Sequence, residues 1–173
     1  MNSIAEIKSA IVDELEKLSL RIAANIDSTG QTASGKTAKS LKVSETESGA
    51  KLEGRKPFGA LETGRKAGKT PKGFTAIIRQ WVKDKGINAA PIPYIRQTSD
   101  KWQPKYTPQE RGNMSLASTI AWSIREHGTK LHRDGGRDDV YSNEIPKTIQ
   151  AVSERASKIF VTRVVEQIKL NTK

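Results

Sequence analysis

The chain has no cysteine, two histidines and two methionines in 173 residues. Without cysteine there is no disulfide framework and no thiolate site, and the redox compartment stays open. With two histidines, no Ser-His pairing stands out from chance among the many serines. Long apolar runs are missing as well, since no stretch approaches the roughly 20 apolar residues of a membrane span. The opening MNSIAEIKSAIVDELEK places acidic residues where a signal peptide would need an unbroken apolar run. These absences lead to the expectation of a soluble protein without membrane contact. The length suits one domain spanning 1–173 with its own core.

What the chain has in excess is positive charge, a formal +11 with a pI near 9.9. Such a balance calls for acidic partners: nucleic acid, an anionic surface or an acidic protein. The excess is uneven. Residues 51–85 hold ten Lys/Arg against Glu53, Glu62 and Asp84, which is +7 of the +11. Arg55, Lys56, Arg65, Lys66, Lys69 and Lys72 are the candidate contact residues of this stretch, set against the plainer reading of a solvated basic loop.

Residues 30–37, GQTASGKT, match the spacing of a phosphate-binding loop: Gly30, four residues, then Gly35-Lys36-Thr37. That loop works only between a buried strand and a helix whose N-terminus faces the phosphates. Here the preceding residues keep a helical period through Leu18, Ile22 and Ile26, and the following KSLKVSETES alternates with period two. The context is reversed, so the pattern reads as a helix-to-strand connector. His127 and His132 lie near Asp134, Asp138 and Asp139, but a Gly-Thr turn separates them from any common face, and their spacing matches no standard metal site. No catalytic residue, cofactor or metal is assigned. Trp81 and Trp122 sit within apolar helical patterns and are expected in the core. Trp102, between Lys101 and Lys105, is the exposed aromatic.

Ile4, Ile7, Ile11, Leu15, Leu18, Ile22 and Ile26 recur at steps of three and four, which predicts an amphipathic helix over 3–26. The region 38–63 reads as a hairpin turning near Gly49, with a third short strand over 59–62. A short helix is predicted over 73–85, stopping at Gly86, then an irregular proline-rich loop over 87–107. Helices over 108–127 and 144–170 follow, the last with Ile145, Ile149, Val152, Ala156, Ile159, Val164 and Ile168 along one stripe. The expected fold class is α+β: long amphipathic N- and C-terminal helices packed on a small antiparallel sheet, with extended loops.

The order of pieces carries a resemblance. An amphipathic helix is followed by SGKTAKSLKV, a hairpin, KPFGALETGRKAGKTPKGF, the helix IIRQWVKDKGI, a later helix and EHGTK. Over residues 1–130 this order resembles the tail-completion or neck proteins of tailed bacteriophages, the head–tail joining family. That family has a strand reading like Tyr-Ala-x-x-Leu-Glu-x-Gly before basic and proline-rich residues, which Phe58-Gly59-Ala60-Leu61-Glu62-Thr63-Gly64-Arg65-Lys66 parallels. The 87–107 insert and the long C-terminal helix exceed what the minimal family fold needs. The resemblance implies a small structural subunit of the virion, assembled in the host cytoplasm into a homo-oligomeric ring at the head–tail junction, with no catalysis. Its implied partners are further copies of itself, neighbouring neck or tail proteins, and the DNA passing through the ring. The basic loop would meet that DNA if it faces the lumen, and an acidic neighbouring ring if it faces outward. The residues alone leave a second reading open, a basic nucleic-acid-binding protein without enzymatic activity.

Overall fold

A computed structural model describes residues 3–95 and 104–171. Lys101 and Trp102 lie outside the described residues. The chain divides into two compact units: Met1–Glu62 with Arg137–Lys173 (unit 1), and Thr63–Gly136 (unit 2).

Unit 1 begins with α1 (Ser3–Ser28), whose apolar stripe buries Ala10, Leu18, Ile22 and Ile26. The helix runs two residues past its predicted end and stops at Gly30. With φ at +66°, Gly30 lets its own amide reach Asp27 O at 2.9 Å and the Gln31 amide reach Ile26 O at 3.1 Å. This paired closure satisfies the last helical carbonyls, and its left-handed position favours glycine. A 3₁₀ turn (Ala38–Ser40) then leads into β1 (Lys42–Thr46), paired antiparallel with β2 (Gly49–Glu53) in the register Val43↔Leu52 and Thr46↔Gly49. Residues 59–62 are not a strand. Lys56–Gly59 is a 3₁₀ turn, with Pro57 fixing φ in its first positions, and it continues into the short helix α2 (Ala60–Thr63).

The last helix, α6 (Glu144–Asn171), packs along α1, and α1 also packs against both strands. Arginines set the antiparallel register. Arg21 binds Glu144 and Thr148, both at 2.8 Å, and Arg155 binds Asp13 at 2.7 Å and Glu14 at 3.3 Å. Arg163 binds Glu6. Half-exposed pairs of this kind add little stability but discriminate against slipped alignments. The core of unit 1 is Leu18, Ile22, Ile26 and Val140, with Leu15, Leu41, Leu52, Phe58, Leu61 and Tyr141 around them. Full burial of each large aliphatic side chain contributes about 1.5–3 kcal/mol.

Unit 2 is built on α3 (Phe74–Asp84) and α4 (Pro108–His127), with α5 (Lys130–Arg133) after them. Gly86 closes α3 with the same device that ends α1, the Ile87 amide bonding Val82 O at 3.0 Å. Thr107 and Glu110 cap α4 reciprocally, and Pro108 occupies the first turn. The seam between α3 and α4 is Ile78 and Val82 against Ala117 and Ala121. Trp81 and Trp122 are not in this core; they are 38% and 54% exposed. Alanines at the seam close it with short side chains, and each indole falls to the side of its helix's buried pair. Trp122 instead meets His127 edge-on at 5.8 Å.

Candidate functional site

The six basic residues singled out in the sequence are divided between the two units. Arg55 and Lys56 belong to unit 1, at the start of the 3₁₀ turn, whereas Arg65, Lys66, Lys69 and Lys72 belong to unit 2. Within unit 2 the segment 64–72 is fastened to the C-terminal end of α4. The Arg65 amide donates to Thr129 Oγ1 at 2.8 Å and the Thr129 amide donates to Arg65 O at 2.9 Å. The Gly68 amide donates to Arg125 O at 2.7 Å, capping a carbonyl that α4 leaves open. His132 joins the same node, its Nδ1 lying 3.1 Å from Thr63 O. The two short stretches TGR and HGTK are thus one structural joint within unit 2, although some 60 residues separate them in sequence.

Arg65 is a structural member of that joint. Its Nη2 donates to Lys69 O at 2.8 Å, and its guanidinium lies 5.2 Å from the centre of the Phe74 ring. It closes the loop on itself and packs it onto the first residue of α3. Lys66, Lys69 and Lys72 are exposed, and among the described residues none of them forms an ion pair.

Charge separates sharply between the units. Unit 2 holds fourteen Lys/Arg against five Asp/Glu, a net +9, and unit 1 holds sixteen against fourteen, a net +2. Among the described residues, nine of the ten ion pairs lie in unit 1, and Arg125–Glu126 is the one in unit 2. The cations ion-paired in unit 1 among the described residues are Lys17, Arg21, Lys51, Arg137, Lys147, Arg155 and Arg163. In unit 2, Arg65 lies over Phe74 at 5.2 Å, Lys105 over Tyr106 at 5.8 Å, and Arg79 over Tyr106 and Arg111 over Tyr94, both at 5.6 Å.

Unit 1 contains the most buried carboxylate, and sequence reading did not single it out. Glu62 is 3% exposed. Its Oε1 accepts the successive amides of Val140, Tyr141 and Ser142 at 2.9, 2.6 and 2.9 Å, and its Oε2 accepts the Ser142 hydroxyl. Burial pushes the Glu62 carboxyl up, but these hydrogen bonds outweigh it and hold the group below the usual carboxylate range. The Arg137 amide donates to Glu62 O at 2.9 Å, so the chain leaves and re-enters unit 1 at one clamped point. An anion cradle made of backbone amides is filled by the protein's own side chain.

The phosphate-loop pattern is taken up by helix closure. The Gly30 and Gln31 amides are spent on α1 carbonyls, the Lys39 amide bonds Gly35 O at 3.1 Å, and Lys36 is exposed. Lys36→Ala is therefore expected to leave folding unchanged, and calorimetry with ATP and Mg²⁺ to give only heats of dilution. Micromolar affinity that vanishes in the variant would overturn this. Among the described residues no cluster of His, Asp and Glu is placed to hold a metal, and no helix is long and apolar enough to cross a membrane. No family model matches the chain, and no curated protein and no solved structure matches it.

Proposed function

We propose that this chain is a non-enzymatic structural protein of a tailed phage or prophage virion, a subunit that completes or joins the tail at the neck by assembling with copies of itself and neighbouring rings. The observation that carries this reading is the uncovered apolar surface of α6. Thr148 is the buried residue of that helix among those described, while Phe160, Val165, Ile168 and Leu170 are 60%, 43%, 58% and 74% exposed. Arg163 meets Glu6 near the start of α1, so the last turns of α6 have little of α1 left to lie against. A helix that exposes aliphatic and aromatic side chains in consecutive turns is suited to being covered by another subunit. The order of pieces along the chain supports the same reading through its resemblance to the head–tail joining proteins.

The test removes apolar character where the fold does not need it. Val165→Glu with Ile168→Glu should leave unfolding within about 0.5 kcal/mol per site, as for other exposed positions. In a complementation experiment the same variant should yield full heads and free tails in place of joined particles, counted by electron microscopy. Normal numbers of joined, infectious particles would remove α6 from the assembly interface and leave the neck reading without its main support.

A further inference from the structure

We infer that the loop Gly64–Lys72 is a preformed binding element for the phosphate backbone of double-stranded DNA, with Lys66, Lys69 and Lys72 as the side chains that meet the phosphates. The inference rests on the neck reading for where the duplex comes from.

Three features of the loop point to phosphate. Its composition is the first: residues 63–73 read TGRKAGKTPKG, four cations without a carboxylate, and the apolar residues are Ala67 and Pro71. A surface made to bind protein centres on aromatic or large apolar side chains. A backbone-phosphate surface needs cations, hydroxyls and amides and no apolar centre. This composition favours duplex DNA over an acidic protein face.

Preorganisation is the second. Lysines on an unattached loop would lose chain entropy when they meet a ligand. Here the loop is held at Arg65 by two backbone-level bonds to Thr129, at Gly68 by Arg125 O, and across its own width by the Arg65–Lys69 bond. At its far end the Phe74 amide closes on Pro71 O at 3.1 Å. The three lysines project from a fixed frame, spaced three residues apart, and Arg65 serves the frame.

The third is the missing counter-charge. Unit 1 balances its cations to a net +2 with fourteen carboxylates, unit 2 carries a net +9 with one internal ion pair among the described residues, and the three lysines have none. Unpaired, exposed cations retain their full attraction for an external polyanion and release its counterions on binding.

The experiment uses the full-length chain and a labelled random-sequence duplex, with affinity measured by anisotropy over a salt series. Wild type should bind without sequence preference, its affinity falling steeply as salt rises. The variant Lys66→Gln, Lys69→Gln, Lys72→Gln should lose at least about tenfold in affinity at low salt. Its log–log salt slope should flatten by about 0.9 for each phosphate no longer neutralised, roughly 2–3 in all. A control removing the same charge from unit 1, Lys36→Gln, Lys39→Gln, Lys42→Gln, should bind nearly as wild type does. Equal losses in both variants would reduce the effect to net charge and overturn the inference. Unchanged duplex binding with lost binding to a polyglutamate peptide would also overturn it, in favour of an acidic protein partner. The neck reading fails separately: it falls if phage lacking this protein still assemble joined particles, whatever the duplex measurements give.

Discussion

Gly64→Ala is expected to destabilise unit 2 by about 3 kcal/mol, combining about 1–2 kcal/mol for a left-handed residue bearing a Cβ with 1–3 kcal/mol for overpacking. The backbone at Gly64 has φ of +66°, and an added Cβ would lie 2.5 Å from both the His132 amide nitrogen and Thr129 Oγ1. Neither atom can move away cheaply. The Thr129 hydroxyl accepts the Arg65 amide, and the His132 amide belongs to α5, whose start Thr129 caps. Trp81 and Trp122 lie in unit 2 and the sequence of unit 1 has no tryptophan, so tryptophan fluorescence does not report on unit 1. The fluorescence-detected melting temperature should drop by more than about 10 °C, given 4–8 °C per kcal/mol in a domain of this size. Asparagine tolerates left-handed backbone but still carries a Cβ, so Gly64→Asn should be nearly as damaging. Recovery with asparagine would mean that φ alone matters and that the packing of the joint is loose. Gly59→Ala, where a Cβ meets no atom within 4 Å, is the silent control, read by far-UV circular dichroism because Gly59 lies in unit 1.

Gly112→Ala makes the complementary case on α4. Alanine gains roughly 1 kcal/mol over glycine in a helix interior. Its Cβ, however, would sit 2.2 Å from Ala90 O. The 89–92 segment is pinned to α4 by the Ala89 amide on Asn113 Oδ1 at 2.9 Å and the Ile92 amide on Pro108 O at 2.9 Å, so it cannot yield freely. The clash outweighs the propensity, and the variant should lose stability by less than Gly64→Ala.

These positions mark where sequence stops being informative. Helices α1 and α6 are legible because their apolar period is local, and the hairpin because alternation and Gly49 set its turn within ten residues. Periodicity says that a face is apolar, but not which residues a neighbour will cover. Trp81 and Trp122 fall outside the core on that ground, since Ala117 and Ala121 form the seam. The 59–62 segment reads as a strand from its place after a hairpin, yet a strand there would need a pairing edge, and β1–β2 is the sheet among the described residues. Lysines 66, 69 and 72 are visible as a charge excess. That Arg65 is a staple is not, because its partner Thr129 is 64 positions away. Glu62 stands in plain view in ALETG, but nothing local announces that three amides from residues 140–142 converge on it.

Glu62 gives the second large effect, in unit 1. Glu62→Ala strands the Val140 amide in a site with no exposure and removes the acceptor for two more amides and a hydroxyl. Each buried donor left without a partner costs about 1–3 kcal/mol, so the loss should reach roughly 3 kcal/mol even if water serves the outer ones. Glu62→Gln keeps one oxygen acceptor but replaces charge-assisted bonds with neutral ones of about half the strength, and should lose roughly half as much. The pH dependence separates charge from shape. A carboxyl held below its unfolded value binds fewer protons folded than unfolded, so its contribution is complete above the unfolded glutamate pKa of about 4.3 and is lost as pH falls through the lower folded value. Glu6, Glu14, Glu144 and Asp139 are also held low, each chiefly by a hydrogen bond from a neighbouring cation, so the acid limb of the wild type is composite. The difference between wild type and Glu62→Gln isolates the one group. Followed by far-UV circular dichroism, that difference should be level near neutrality and close as the solution is acidified below the unfolded value. A difference that stays constant to the acid limit would mean that the carboxylate charge contributes nothing, and that the 140–142 turn is held by shape alone.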